Sequence, residues 1–164
     1  MDERQEAPLV SIPGIAGYAE RAAALTEGAR IAVTVLSHDL DRRIFGTEAF
    51  MQAVRKFVLQ HSHARFRALI HNPARAIQNG NPLIEFARSM STFMELREVP
   101  ADRKGVVEEY VVADGGLLLH RSSPEDLSAH FYPGSPHMAR LKLKEFDVMW
   151  DCAEPVTELR DLRI

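Results

Sequence analysis

Two polar stretches in this 164-residue sequence hold the side chains best suited to chemistry: His38-Asp39-Leu40-Asp41-Arg42-Arg43 and His120-Arg121-Ser122-Ser123. Each joins an imidazole, which titrates near neutrality, to groups that can hold an anion. His38, Asp39, Asp41 and Arg42 follow directly on Arg30 to Ser37 (RIAVTVLS), a run rich in β-branched residues and apolar almost throughout. Such a run reads as a central strand covered on both faces. Open α/β sheets gather ligands outside the carboxyl ends of their strands, so this loop is the leading candidate for a binding site. The competing reading is a solvated loop that caps the next helix. His120, Arg121 and Ser122 follow a second apolar run and can converge on the same sheet edge; a plain surface hairpin end is their competing reading.

Other constellations carry less. His61-Ser62-His63 has two imidazoles, but alternate residues near a helix end diverge and no Cys or carboxylate cluster accompanies them, so no metal site is expected. Arg65 and Arg67 share a strand face with Leu69 and can form a basic stripe, which an exposed face or ion pairs explain equally well. Arg140, Lys142 and Lys144 read as the solvated side of a helix, Trp150 with Phe146 as core packing, and Cys152 as a buried or inert thiol.

The elements that must position these residues follow from periodicity and punctuation. Residues 1 to 14, with their charges, Pro8, Pro13 and Gly14, read as a flexible arm. Ala16 to Ala29 places Ala22, Leu25 and Ala29 on one helical stripe. After the charged loop, Thr47 can cap a helix whose Phe50, Val54, Phe57 and Val58 repeat at helical spacing, and Ala64 to His71 alternates as a strand until Asn72-Pro73. Asn81-Pro82 opens a helix through Leu83, Phe86, Ala87 and Met90, and Met94 to Val99 reads as a strand. Val106 to His120 is a hairpin around Asp114-Gly115-Gly116, Arg121 to Pro136 a loop, and Ser135-Pro136 the start of a last helix whose apolar face carries Met138, Leu141, Phe146, Met149 and Trp150. Helical crossovers favour parallel strands and the hairpin must be antiparallel, so the order implies an α/β sandwich with a mixed sheet.

Composition bounds the rest. The length suits one domain, and 46% apolar with 26% charged residues is ordinary for a globular protein. A net charge of -3 supplies no global attraction to nucleic acid or anionic membrane. One cysteine excludes an internal disulfide, the start is acidic where a secretory signal would be basic, and no run approaches the ~18 apolar residues that span a bilayer, so a cytoplasmic location is expected.

Taken in order, the hairpin with Asp114-Gly115 in its turn, the first helix and strand running into Ser37-His38-Asp39-Leu40-Asp41, the strand Phe66 to Ile70 and the closing Phe146-Asp147-Val148-Met149-Trp150 ahead of Pro155 resemble one half of a phospholipase-D-like domain over residues 16 to 156. More narrowly, the chain is similar to an uncharacterised bacterial family of such domains, some of them joined to an acetyltransferase domain. The resemblance implies a phospholipase-D-like sandwich, a mixed β-sheet flanked by helices, over residues 15–156, between the arm 1–14 and a C-terminal tail 157–164.

In members that cleave phosphodiesters, a His, a Lys two residues later and an Asp five further on sit on this hairpin. The His attacks phosphorus, a second His is the general acid, and Lys and Asn stabilise phosphoryl oxygens. Asp114 matches the Asp, but counting back puts Val107 in the place of the nucleophile and Glu109 in the place of the Lys. The Gly-Ser-x-Asn segment that usually follows is also missing, although Arg121 and Ser122 can still bind an anion. The resemblance therefore implies a pseudoenzyme with no catalytic residues, metal or cofactor: a ligand-binding or regulatory module whose binding residues are His38, Asp39, Asp41, Arg42, Asp114, His120, Arg121 and Ser122. A phosphate-bearing ligand or nucleic acid stays open, without support from net charge. The alternatives are a divergent phosphoryl-transfer or hydrolytic enzyme using His38, Asp39 and His120, and an oligomerisation or partner-binding module. Such sites are built from two facing halves and this chain has one, so a homodimer is expected; an acetyltransferase is the other partner the resemblance implies.

Overall fold

The computed structural model of the chain describes residues 9–156. Residues 1–8 of the expected arm and the whole expected tail, 157–164, lie outside the described residues. In chain order the elements are β1 (Val10–Pro13), α1 (Gly14–Gly28), β2 (Ala32–Ser37), α2 (Arg42–Phe45), α3 (Glu48–Gln60), β3 (Arg65–Ile70), α4 (Pro73–Gln78), α5 (Pro82–Ser89), β4 (Met94–Glu98), a 3₁₀ turn (Ala101–Arg103), β5 (Glu109–Ala113), β6 (Leu117–Arg121), β7 (Ser128–Tyr132), α6 (Pro136–Cys152) and β8 (Glu154–Pro155).

The strands form one mixed sheet in the order β1-β7-β6-β5-β2-β3-β4-β8. β2 pairs in parallel with β3, which pairs in parallel with β4, and every other pairing is antiparallel. The apolar run at β2 is thus the strand where the sheet changes from antiparallel to parallel, and five of its six residues are buried. Val33, Val35, Phe66, Ala68, Val111 and Leu119 point to the larger core, which α1, α3 and α5 cover. Leu36, Leu69, Tyr110, Val112 and Leu118 point to the other face, where α6 lays Phe146, Met149 and Trp150 over them. The period-2 alternation within each strand is what splits these residues between two cores.

Local chemistry fixes the helix starts. The Thr47 hydroxyl accepts from the Phe50 N–H at 3.1 Å, and the Asn81 side chain accepts from the Leu83 N–H at 2.9 Å with Pro82 in the first turn. Asn72 does the same for α4, so Asn72-Pro73 both ends β3 and opens a helix.

Five expectations need correction. Residues 10–13 of the expected arm form β1, an edge strand against β7. Within the expected loop 121–136, Ser128 to Tyr132 is β7, where Ala129 and Phe131 are buried. Leu141 is 48% exposed, not on the apolar face of α6, and Cys152 is exposed. Lys142 is no solvated side chain, because its ammonium sits 2.9 Å from Glu108 and its side chain is only 16% exposed.

The hairpin turn places Asp114 and Gly115 at φ 54° and 71°, the left-handed region that Asp tolerates and Gly occupies freely. The Asp114 carboxylate accepts from the backbone N–H groups of Ile31 at 2.8 Å, Ala32 at 3.0 Å and Arg30 at 3.0 Å, and the Asp114 N–H donates to the Ala32 carbonyl at 2.8 Å. The turn is thereby clamped to the entry of β2. Asp114→Ala should destabilise the fold by about 1–2 kcal/mol, the cost of leaving backbone donors to partial hydration. Denaturant unfolding checks this, and an unchanged midpoint would contradict the clamp.

Candidate functional site

β2 and β3 run in parallel, so their carboxyl ends meet at one edge of the sheet; β5, antiparallel to β2, begins there, and β6, antiparallel to β5, ends there. A cleft of ≈ 390 Å³ opens at this edge. Its walls carry His38, Asp39, Asp41 and Arg43 from the loop after β2, His71 and Arg75 after β3, and Lys104 and Val107 before β5, with Glu109 on β5, Arg121 on β6 and Glu125 beyond it.

The loop after β2 is held in a demanding conformation. Leu40 is fully buried at φ 52°, sparsely populated for a residue with a Cβ. Its N–H donates to the Ser37 hydroxyl at 3.0 Å and its carbonyl accepts from the Asn81 side chain at 2.6 Å, while the His38 carbonyl accepts from the Asn72 N–H at 2.8 Å. These bonds tie the loop to the starts of α4 and α5 and aim His38 and Asp39 into the cleft.

Glu109 and Arg121 form the floor. They lie directly opposite on β5 and β6, are 3% and 4% exposed, and approach to 3.3 Å. The Arg121 guanidinium also lies 5.0 Å from the centre of the Tyr18 ring on α1. Burial pushes the Glu109 carboxyl above its ordinary value, and Asp39 and Asp41 push it the same way, whereas Arg121 pulls it down. Removing one member of such a buried pair typically costs about 3–5 kcal/mol, because the other charge is left uncompensated.

Pairs recur up the walls. Asp39 meets the Arg75 Nε at 3.2 Å, and Asp41 meets Arg43 at 2.7 Å. Burial alone would raise Asp41, but the Arg43 side chain and backbone N–H hold its carboxyl below the usual range. Lys104 reaches Glu98 at 3.2 Å and donates to the His71 carbonyl. Burial, His38 and Lys104 all lower the His71 pKa, and the His38 ring stacks on it at 5.6 Å. The cleft therefore presents four carboxylates to four Lys or Arg cations, Asp39, Asp41, Glu109 and Glu125 against Arg43, Arg75, Lys104 and Arg121.

Of the binding residues named from sequence, the structure brings His38, Asp39, Asp41 and Arg121 together. Arg42 turns away and donates to the Asn79 carbonyl at 3.1 Å. Ser122 is exposed beside the cleft, and Ser123 lines it instead. Asp114 lies at the opposite end of β5, at the entry of β2. His120 belongs to the other sheet face, because strand alternation sends it opposite to Arg121. There its Nε2 meets Glu108 at 2.6 Å and its ring stacks with Tyr110. Glu108 is held below its ordinary pKa first by that contact and then by Lys142, with burial opposing. His71, Arg75 and Lys104 were missed. The rule that selected His38, the carboxyl end of a strand, also applies to His71 once β3 is known to lie parallel to β2.

A model of the family described as "Domain of unknown function (DUF7931)" matches residues 15–162. No curated protein matches the sequence. Among solved structures, Nuc from Salmonella typhimurium, a phospholipase D family member, is similar with a TM-score of 0.63 and 12% identity over 91% of this chain and 99% of that one. NucT from Helicobacter pylori is similar with a TM-score of 0.62 and 8% identity over 91% and 98%. TrmBL2, an archaeal chromatin protein with a novel mode of DNA binding, gives 0.63 and 14% over 94% of this chain, which spans only 57% of its length. At these identities the likeness is one of fold, and the fold is phospholipase-D-like.

Proposed function

This chain belongs to the DUF7931 family, and we propose that it is a phospholipase-D-like domain that has lost phosphodiesterase chemistry and acts as a ligand-binding or regulatory module. The observation that carries this is the floor of the cleft. Where the resemblance puts the phosphate-binding Lys there is Glu109, buried against Arg121, and where it puts the nucleophile there is Val107, 56% exposed. A valine offers no lone pair, and a carboxylate at the phosphate position repels the charge that a phosphoryl transition state develops. What stays is a concave polar cleft at the place where α/β sheets bind ligands.

The rival enzyme reading needs His38, Asp39 and His120 in one site, and His120 sits across the sheet from the other two. The binding reading predicts no turnover of a chromogenic phosphodiester or of single-stranded DNA. Hydrolysis that survives repurification and is lost in His38→Ala would reverse it.

The same reading includes a homodimer with the clefts of two copies facing each other, since the resemblance builds its site from two halves. Val107 at the cleft and the 75% exposed Leu127 in the loop after β6 offer apolar surface on that side. An acetyltransferase joined to or bound by the domain is the second partner proposed. Among the described residues no helix is long and apolar enough to cross a membrane. Sedimentation at micromolar concentration should give twice the 18.4 kDa chain mass, and a single species at the monomer mass would contradict the dimer.

A further inference from the structure

The end of the sheet opposite the cleft carries a second concavity. A trough of ≈ 390 Å³ lies there between α1 and the β5–β6 hairpin, lined by Arg21, Leu25 and Gly28 of α1, Ala113 and Leu117 beside the turn, and Phe131 of β7. Most of these side chains are apolar, and Leu117 is 36% exposed. Nothing crosses the trough at its glycines: a Cβ placed on Gly28 or on Gly116, which also lines it, would meet no atom within 4 Å.

One polar group stands out. Arg43, Arg75 and Arg121 in the cleft each meet a carboxylate, whereas the half-buried Arg21 has neither a hydrogen bond nor a carboxylate partner among the described residues. Its guanidinium lies 4.5 Å from the centre of the Phe131 ring. Stacking on an aromatic ring holds the guanidinium plane and leaves its edge donors free, the geometry that recognises a carboxylate with two parallel hydrogen bonds. At the far end, near Gly28, the lining includes Asp114, whose charge repels an anion and so directs it toward Arg21. Arg21 and Gly28 are seven residues apart on α1, roughly 10 Å at the helical rise. An extended chain advances about 1.2 Å per bond, so about eight carbons span that length. We propose that the trough binds a medium-chain carboxylate, its acyl chain lying along α1 from Gly28 to Arg21 and its carboxylate accepting hydrogen bonds from the Arg21 guanidinium. Apolar lining with one well-placed polar group is the usual make-up of a small-molecule site, and this one is independent of the cleft.

The experiment is a titration of the ¹⁵N-labelled protein with octanoate, followed through the backbone amides of Gly28 and Gly116, with butyrate, octanol and octylammonium as comparison probes. Octanoate should shift both amides saturably. Octanol lacks the charge that Arg21 recognises and should bind about tenfold more weakly, and octylammonium should not bind. Butyrate has four fewer methylenes, each worth about fourfold when fully buried, and should lose at least about tenfold. Arg21→Gln should weaken octanoate about tenfold and leave octanol unchanged. Gly28→Leu puts a side chain into the open space and should abolish the Gly116 shift by either molecule. Octanol binding as tightly as octanoate would overturn the role of Arg21, and an undiminished Gly116 shift by octanoate in folded Gly28→Leu would overturn the placement. Failure of octanoate to saturate the wild-type protein in the millimolar range would overturn the site and leave the reading of the cleft standing.

Discussion

The buried pair of Glu109 and Arg121 constrains more of this protein than any other contact. Each side chain is almost wholly removed from water, so neither charge is tolerable without the other. Their pairing fixes the register of β5 against β6 at the end far from the turn. It also sets the electrostatics of the cleft, since the one cation buried at its floor is already opposed by a carboxylate. A phosphate group entering there would have to compete with Glu109 for Arg121 and would be repelled by Asp39 and Asp41. The same pair leaves the Arg121 Nε–H unused.

Asp114 has a structural role that is independent of any reaction at the cleft. It matches the Asp of the resemblance, and among the described residues its carboxylate accepts hydrogen bonds from the backbone N–H groups of Arg30, Ile31 and Ala32. The Asp therefore belongs to the scaffold: it ties the hairpin to the amino-terminal end of β2 while the cleft forms at the carboxyl end.

Most of the architecture was legible because each main element obeys one strong rule. β2 is continuous apolar, α3 and α5 carry capped amphipathic repeats, and Asp114-Gly115 marks its turn. β1 and β7 were not legible. Both are short and framed by Pro8, Pro13, Pro124, Pro133 and Gly134, so turn chemistry dominates their composition, and only the pairing of β7 with β6 and of the edge strand β1 with β7 reveals them. The site divides in the same way. His38, Asp39 and Asp41 were found by their position after a central strand, which is local information. His71, Arg75 and Lys104 join them through strand order, which no local pattern carries. His120 and Arg121, adjacent in sequence, were read as one cluster, and strand alternation sends them to opposite faces.

The central claim, that Glu109 neutralises the floor and closes the cleft to phosphate, is tested most directly by calorimetric titration of inorganic phosphate into the wild-type protein and the Glu109→Gln variant. Glutamine keeps the shape and a hydrogen-bonding oxygen while removing the charge that opposes Arg121. The expected result is no saturable heat for the wild type and saturable binding for the folded variant. Phosphate binding of equal strength in the two proteins would contradict the claim.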